Sequence, residues 1–197
     1  MSFQLIKPTK SNAGSACQFN VKVENSCVYA QLTKQVSWMD GHGTFKGGLR
    51  IVTKLAINEI GAILDCLEFN REFSTVHKNS SGLTQIHFKK YARKDNPNIQ
   101  VGYSFTLGKK DGEETKWFYI GITFAEGQVL KEYLRYSLGL IFAGQDFARI
   151  AAVTEKQLTE VALKKETETP NKKEPEEVKQ EIDSESFEDQ PPSDDSL

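Results

Sequence analysis

Residues 45–64 read FKGGLRIVTKLAINEIGAIL, and they join a basic strand directly to an amphipathic helix. In the first half, Ile51 alternates with the cations Arg50 and Lys54, which is the period-two pattern of a half-buried strand. In the second half, apolar residues recur at helical spacing from Ile60 onward. Residues 117–130, WFYIGITFAEGQVL, repeat this strand-to-helix succession. Two such units, each preceded by further strands, predict a duplicated sheet-plus-helix of the α+β class.

The remaining chain supplies strands before each helix. We predict strands at 3–7, 17–24, 27–37 and 45–54, a helix from about 58 to 67, strands at 73–78, 84–92, 99–107 and 116–123, and a second helix over 124–143. Asp40-Gly41 predicts a turn, and Gly144 is interpreted as the cap that ends the second helix. The predicted domain is 1–147, followed by a short helix or linker over 148–165 and a tail over 166–197.

The charge is divided along the chain. Residues 1–165 carry 22 Lys and Arg against 15 Asp and Glu, a net of +7, whereas residues 166–197 carry 3 against 12, a net of −9. A basic body indicates a polyanionic partner. The tail has too few apolar residues to offset its ordering entropy, so we expect it to be disordered. We also expect it to compete with nucleic acid for the basic body and to recruit replication or recombination proteins.

Three cysteines (Cys17, Cys27 and Cys66) have no metal-ligand spacing and are interpreted as reduced residues. The start of the chain has no signal-like or transit-like pattern, and no apolar run approaches the length of a membrane span. These features favour a cytoplasmic, nucleoid-associated protein that makes no membrane contact. The second helix has more apolar surface than one small sheet covers, which predicts self-association.

These patterns resemble the Whirly family of single-stranded DNA-binding proteins and, more distantly, the PC4-type transcription coactivators. Residues 55–64 look like the Whirly segment that begins the first helix, and residues 120–140 look like the second strand-to-helix passage. Trp38-Met39-Asp40, with the following basic strand, is similar to the PC4 stretch before its helix. The plant Whirly motif Lys-Gly-Lys-Ala-Ala-Leu is absent, which favours a prokaryotic or viral relative.

The resemblance implies two four-stranded antiparallel sheets with a helix after each, assembled into a tetramer through the helices. It also implies that single-stranded DNA crosses the sheet faces, with RNA as a possible ligand. On that reading the chain would act in DNA replication, recombination or repair. The alternative is a transcription coactivator or RNA-binding protein of the same fold.

Sequence-tolerant binding of single strands needs cations for phosphates and flat rings for bases. The candidate phosphate ligands are Lys34, Lys46, Arg50, Lys54, Lys89, Lys90, Arg93, Lys94, Lys109, Lys110 and Lys116. The candidate stacking residues are Trp38, Phe45, Phe88, Tyr91, Tyr103, Phe105, Trp117 and Tyr119. Two runs carry the prediction: residues 89–94 place four cations around Tyr91, and residues 116–119 place aromatic side chains on both faces of one strand. We expect Trp38, Tyr91 and Trp117 to be exposed.

No pattern in the sequence is typical of an enzyme. His42, His77 and His87 are scattered, without metal-ligand spacing, and the glycines at 41–48 lack the ending of a phosphate-binding loop. No context for a nucleophilic serine or cysteine is present. We therefore expect no catalytic residues, no metal and no cofactor, and the enzymatic alternative is a nuclease or another metal enzyme.

Overall fold

The computed structural model describes residues 2–79, 82–93, 95–112 and 114–167. The tail prediction for residues 166–197 therefore lies almost wholly outside the described residues. Among the described residues, 2–155 form one compact unit and 156–167 belong to a second. The strands are β1 (Ser2–Lys7), β2 (Ser15–Lys22), β3 (Cys27–Lys34), β4 (Ser37–Met39), β5 (His42–Thr44), β6 (Arg50–Ala56), β7 (Phe73–Asn79), β8 (Gly82–Ala92), β9 (Gln100–Asp111) and β10 (Glu114–Thr123); the helices are α1 (Ile57–Phe69) and α2 (Phe124–Thr167).

Two four-stranded antiparallel sheets confirm the predicted duplication. The first sheet has the order β1-β2-β3-β6 and leads into α1, and the second has the order β10-β9-β8-β7 and leads into α2. A small hairpin, β4-β5, is inserted in the first half. Asp40 and Gly41 form its two-residue turn with φ angles of 51° and 81°, the left-handed pair that matches strand twist in a tight hairpin.

The two sheets share one hydrophobic core. Alternation along each strand sends one set of side chains inward, so that Phe19 of β2 meets Phe105 of β9 with ring centroids 5.2 Å apart. In the second sheet, Phe88, Phe105 and Ile120 form one buried row across three strands. Because the apolar residues are used between the sheets, the opposite face of each sheet is left for polar and exposed aromatic side chains.

Helix α1 is fixed at its start by Glu59. Its carboxylate accepts a hydrogen bond from the backbone N–H of Ala56 at 2.9 Å, and its other oxygen lies 2.6 Å from His77 Nε2 on β7. The remaining His77 ring nitrogen contacts the Thr53 hydroxyl at 3.2 Å. This chain of contacts joins β6, α1 and β7. The helix ends at Asn70, whose φ of 57° is the left-handed conformation expected at a helix C-terminus.

Helix α2 continues well beyond the predicted end at 143. Gly144 is an internal residue of the helix, so its interpretation as a C-cap is wrong. A Cβ at Gly144 would lie 2.2 Å from Val23 Cγ1, and the residue is therefore required for close packing of α2 against the turn between β2 and β3. No proline interrupts the sequence between 124 and 167, so the predicted short helix over 148–165 is part of α2.

The start of β6 also differs from the prediction. The strand begins at Arg50, and Phe45–Gly48 form a turn in which the Gly48 N–H donates to the Phe45 carbonyl at 3.1 Å. Gly47 has a φ of 77°, which only glycine adopts readily at this turn position. The predicted alternation holds from Arg50 onward, with Arg50 exposed and Ile51 buried.

Glu126 ties the start of α2 to β1. Its Oε2 accepts hydrogen bonds from Lys7 Nζ at 2.6 Å and from the Thr123 backbone N–H at 2.7 Å. Partial burial works against ionisation, but the bonds from Lys7 and Thr123 outweigh it and hold the pKa of Glu126 below its ordinary value. The ionised carboxylate therefore stabilises the fold above the ordinary pKa, and this contribution is lost as the pH falls through the lowered one.

Replacement of Glu126 by Gln should lower the free energy of unfolding by about 1–2 kcal/mol at about pH 7, the cost of losing a hydrogen-bonded charge. The difference from wild type should vanish at acidic pH, once the wild-type carboxyl is also protonated. Urea denaturation of the variant and the wild type, at about pH 7 and at acidic pH, measures this difference in the free energy of unfolding. Glu132→Gln, at an exposed position on the same helix, is the control and should change little. A difference that persists unchanged in acid would contradict this role of the charge.

Candidate nucleic-acid interface

The outer face of the first sheet is lined by amide side chains. Strand pairing places Gln4, Gln18 and Gln31 side by side on β1, β2 and β3. The neighbouring row contains Ala16, Thr33 and Arg50, and the row on the other side contains Asn20, Tyr29 and Lys54. The face is therefore largely polar, and two of its cations, Arg50 and Lys54, lie on β6.

A groove of about 560 Å³ crosses this face, and we call it the amide groove. Its lining combines the three glutamines with the turn Phe45–Gly48 and with Arg50. The volume falls within the range of about 300–1,000 Å³ that is usual for small-ligand sites. Because the turn is closed by its own hydrogen bond, Phe45 and Lys46 are held beside the sheet without any ligand.

A second groove, of about 260 Å³, lies between β6 and the second sheet, and we call it the basic groove. It is lined by Leu49, Arg50, Ile51, Lys109, Lys110, Lys116 and Phe118. Four of these residues are cations and none is a carboxylate, so the lining of the groove is basic. Lys34 adds a fifth cation nearby, with Nζ 4.9 Å from the centre of the Phe118 ring. Arg50 lines both grooves and so connects them.

The outer face of the second sheet has an aromatic strip of His87, Tyr91, Trp117 and Tyr119. Trp117 lies over Gly108, where an added Cβ would be only 2.6 Å from the indole ring. The His87 and Trp117 ring centroids are 5.5 Å apart. Burial and the nearby Lys89 lower the pKa of His87, so this imidazole is neutral at physiological pH. The strip therefore offers uncharged ring faces for stacking.

The three rings expected to be exposed differ in accessibility. Tyr91 and Trp117 are 44% and 41% exposed, and Trp38 on β4 is half-buried. Tyr119 is the most accessible ring of the strip, at 63%. Phe45 is half-buried in the wall of the amide groove. A stacking surface requires rings that are exposed to solvent, and Tyr91, Trp117 and Tyr119 meet this requirement.

Three predicted stacking residues are in the core. Tyr103 is buried, and its hydroxyl donates to the Leu67 carbonyl at 3.1 Å, while Phe88 and Phe105 are completely buried. The assignment of Tyr103 to the binding surface is therefore wrong, as is that of the two phenylalanines. All three occupy inward positions of β8 and β9, where α1 and the first sheet cover them.

The predicted cluster at residues 89–94 is not assembled as expected. Alternation places Lys89 and Tyr91 on the outer face of β8, but Lys90 lies opposite Tyr103 on the other face. Arg93 forms a two-point ion pair with Asp95, at 3.0 and 2.7 Å, which reduces its availability to phosphate. Lys94 lies outside the described residues. The remaining predicted cations, Lys34, Lys46, Arg50, Lys54, Lys109, Lys110 and Lys116, lie on or beside the two grooves and the first sheet.

Sequence reasoning missed the polar half of the surface. Gln4, Gln18, Gln31 and Tyr29 were not selected, and neither was His87. The alternation of residues 27–34 placed Tyr29 and Gln31 on the polar face of β3, which was an available signal for both. The lateral row of glutamines depends on the pairing of three strands, which no local pattern specifies.

Other kinds of site find little support in the described part of the chain. Across residues 2–79, 82–93, 95–112 and 114–167, no group of three or more His, Cys, Asp or Glu side chains is placed to hold a metal ion. Cys17, Cys27 and Cys66 are free and buried, and burial raises the pKa of Cys17 to about 12 and that of Cys66 to about 11. No helix over the described residues is both long and apolar enough to cross a membrane.

No protein-family model matches the sequence, and no curated protein matches it. Solved structures do match. WHY3 from Arabidopsis thaliana has a TM-score of 0.54 at 15% identity, with 76% of this chain and 92% of that chain covered. The plant transcriptional regulator PBF-2 has a TM-score of 0.54 at 14% identity, covering 76% and 94%. A guide-RNA-binding protein complex bound to a gRNA has a TM-score of 0.55 at 15% identity, covering 70% and 89%. The chain has the fold of the Whirly proteins.

Proposed function

We propose that this chain is a non-enzymatic protein that binds single-stranded DNA along the basic groove between its two sheets and across the outer sheet faces. The observation that carries the proposal is the basic groove, whose lining contains four cations and no carboxylate. It adjoins the amide groove through Arg50, and β10 carries both its Lys116 and the exposed ring of Trp117. Cations for phosphates and rings for bases thus meet at β10, the edge strand of the second sheet, where Lys116 shares the face of Phe118 and Trp117 lies on the opposite face.

The ring surfaces favour single strands over duplex. In a duplex the base faces are stacked on one another, so only the edges and the phosphates are accessible. The side chains of Trp117, Tyr119 and Tyr91 can stack only on bases that are unpaired. Phosphate neutralisation would supply most of the affinity, and stacking would supply the preference for single strands.

Protection of exposed single strands fits replication, recombination or repair, and we place the protein in the cytoplasm, associated with the nucleoid. The acidic tail would compete for the grooves and recruit proteins of those processes. The second candidate is a transcription regulator or an RNA-binding protein, because the similar structures include a plant transcriptional regulator and a complex bound to a gRNA. No metal or cofactor is part of the proposal.

Self-association through α2 completes the proposal. The helix buries Leu130, Leu134 and Ile141 against the sheets, but Tyr136 is 51% exposed and Phe147 is 73% exposed. Val129 and Ile150 extend this exposed apolar surface. Its burial against another copy of the helix would be favourable because it removes apolar area from water. A homotetramer held by these helices would place several pairs of grooves on one particle and raise the avidity for long strands.

The proposal is tested by titrating labelled single-stranded DNA, the matching duplex and the matching RNA, followed by fluorescence anisotropy. Single-stranded DNA should bind at least about tenfold more tightly than duplex at equal salt, because stacking contributes roughly 1–3 kcal/mol per base. Equal affinity for duplex would contradict the proposal, and tighter binding of RNA would favour the second candidate. Loss of labelled strand on addition of Mg²⁺ would indicate a nuclease.

Two substitutions should separate charge from stacking. Arg50→Gln should reduce the slope of log affinity against log salt by about 0.7, the value for one phosphate contact on a single strand. Trp117→Ala should lower affinity by roughly 1–3 kcal/mol and leave that slope unchanged. Gly108→Ala should act like Trp117→Ala, because the added methyl displaces the indole.

Lys10→Ala and Phe69→Ala are the matched controls for these substitutions. Lys10 is an exposed lysine that lines neither groove, and Phe69 is an exposed ring at the end of α1. Both should bind as wild type does. An unchanged salt slope for Arg50→Gln, or unchanged affinity for Trp117→Ala, would show that the strand follows another path.

The wild-type protein should have the mass of an oligomer at micromolar concentration. The double substitution Tyr136→Glu and Phe147→Glu should reduce that mass, because it buries charge in the helix interface. Light scattering coupled to size-exclusion chromatography measures both, with Gln128→Glu as the control for an added charge on the same helix. A monomeric wild type would remove self-association from the proposal.

A further inference from the structure

A further groove, of about 400 Å³, lies on the outer face of the first sheet, and we call it the tyrosine groove. Its lining consists of Ser2, Asn20, Val21, Lys22 and Tyr29. Strand pairing explains this grouping, because Asn20 on β2 lies directly opposite both Ser2 on β1 and Tyr29 on β3. Neither the amide groove nor the basic groove shares any of these residues. The tyrosine groove is therefore a separate depression on the sheet face that also carries the amide groove.

The side chain of Tyr29 has no structural partner in the fold. The buried tyrosines differ from it, because the Tyr103 and Tyr133 hydroxyls donate to the backbone carbonyls of Leu67 and Phe19, at 3.1 and 2.9 Å. Over residues 2–79, 82–93, 95–112 and 114–167, no hydrogen bond or ring contact involves the side chain of Tyr29, which is half-buried. Its ring is therefore available to stack on a base that enters the groove.

Two lysines lie beside the Tyr29 ring. Lys54 on β6 is directly paired with Tyr29, and directly opposed side chains of an antiparallel pair have Cβ atoms about 4.5–5.5 Å apart. Lys54 is exposed, and no carboxylate of the described ranges forms an ion pair with it. Lys22 contacts Glu24 at 3.9 Å, but both side chains are more than half exposed, so this ion pair contributes little. Both lysines can therefore bind phosphate.

Strand β6 connects the tyrosine groove with the basic groove. Arg50 and Lys54 occupy the same face of β6, and four residues of strand correspond to about 13 Å at about 3.3 Å per residue. Val52 lies between them on that face and is 48% exposed, so no acidic side chain of β6 interrupts the path. A single strand that is bound at Arg50 can continue along β6 to Lys54 and place a later base against Tyr29.

We propose that the tyrosine groove is a second nucleobase subsite, in which Tyr29 stacks on a base while Lys54 and Lys22 bind the neighbouring phosphates. This inference rests on the proposed binding of single-stranded DNA and adds a segment to the path that passes through the basic groove. Stacking on a ring tolerates any sequence because every base has a π-face. The subsite therefore adds affinity for strands long enough to reach it, without selecting a sequence.

Two lengths of oligo-dT separate this subsite from the basic groove. Lengths of about 4 and about 16 nucleotides match the limits of site size in OB-fold single-strand binders. Tyr29→Leu removes the ring and keeps an apolar side chain. It should weaken binding of the longer strand about tenfold, as expected for one lost stacked base, and change binding of the shorter strand less than about twofold. Fluorescence anisotropy at fixed salt, with the full-length protein, measures both affinities.

Matched variants separate stacking from other effects. Tyr29→Phe keeps the ring and should bind both lengths as the wild type does. Phe69→Leu removes an exposed ring at the end of α1 and should also change neither affinity. Lys54→Gln should reduce the slope of log affinity against log salt by about 0.7 for the longer strand, the value for one phosphate contact. Lys10→Gln, at an exposed lysine outside the grooves, should leave the slope unchanged.

The inference and the proposed function give different results when they fail. If the wild type binds single strands but Tyr29→Leu binds the longer strand equally well, the subsite is wrong and the proposed function stands. Equal losses at both lengths would also overturn the inference, because Tyr29 would then not form a separate subsite. If the wild type binds neither length even at low salt, the proposed function fails and the inference fails with it. Circular dichroism of Tyr29→Leu confirms that any loss comes from a folded protein.

Discussion

Burial of two sheet faces against each other is the constraint on which the rest of the molecule depends. Once Phe19 and Phe105 meet in the shared core, the register of β2 and β9 is fixed, because a shift by one residue would turn the apolar set toward solvent. The same requirement determines the outer faces. Gln18 is directed outward because Phe19 is directed inward, and Trp117 is directed outward because Phe118 is directed inward. The candidate binding surface is therefore a direct consequence of the core.

The second consequence of this arrangement is electrostatic. The sheets are held so that β6 of the first faces β9 and β10 of the second, which brings Arg50 to the same groove as Lys109 and Lys110. These residues are distant in sequence, and like charges repel when they are brought together. The apolar core supplies the stabilisation that keeps them close. A polyanion that enters the groove relieves this repulsion, which gives the folded protein a physical reason to bind one.

Local patterns predicted most of the fold because its strands are regular. Alternation of exposed and buried residues, such as Arg50 and Ile51, located β6, and helical spacing located α1. The end of α2 was mispredicted because a glycine after an apolar run can either cap a helix or allow close packing. Only the contact of Gly144 with Val23 distinguishes these two roles. The site was harder to predict. Tyr103 and Trp117 are both aromatic residues within predicted strands, and their opposite burial follows from which face of the second sheet is covered. The amide row and the basic groove depend on strand pairing and sheet packing, which a single chain segment does not encode.

Photo-cross-linking is the most direct measurement of where a single strand lies. Oligonucleotides carrying 5-iodo-deoxyuridine react on irradiation with aromatic side chains that stack on the base, and mass spectrometry of the digested complex identifies the residue. Binding across the sheet faces predicts adducts on the aromatic strip, at Trp117 or Tyr119. Adducts confined to α2, on residues such as Tyr136 or Phe147, would contradict binding across the sheet faces.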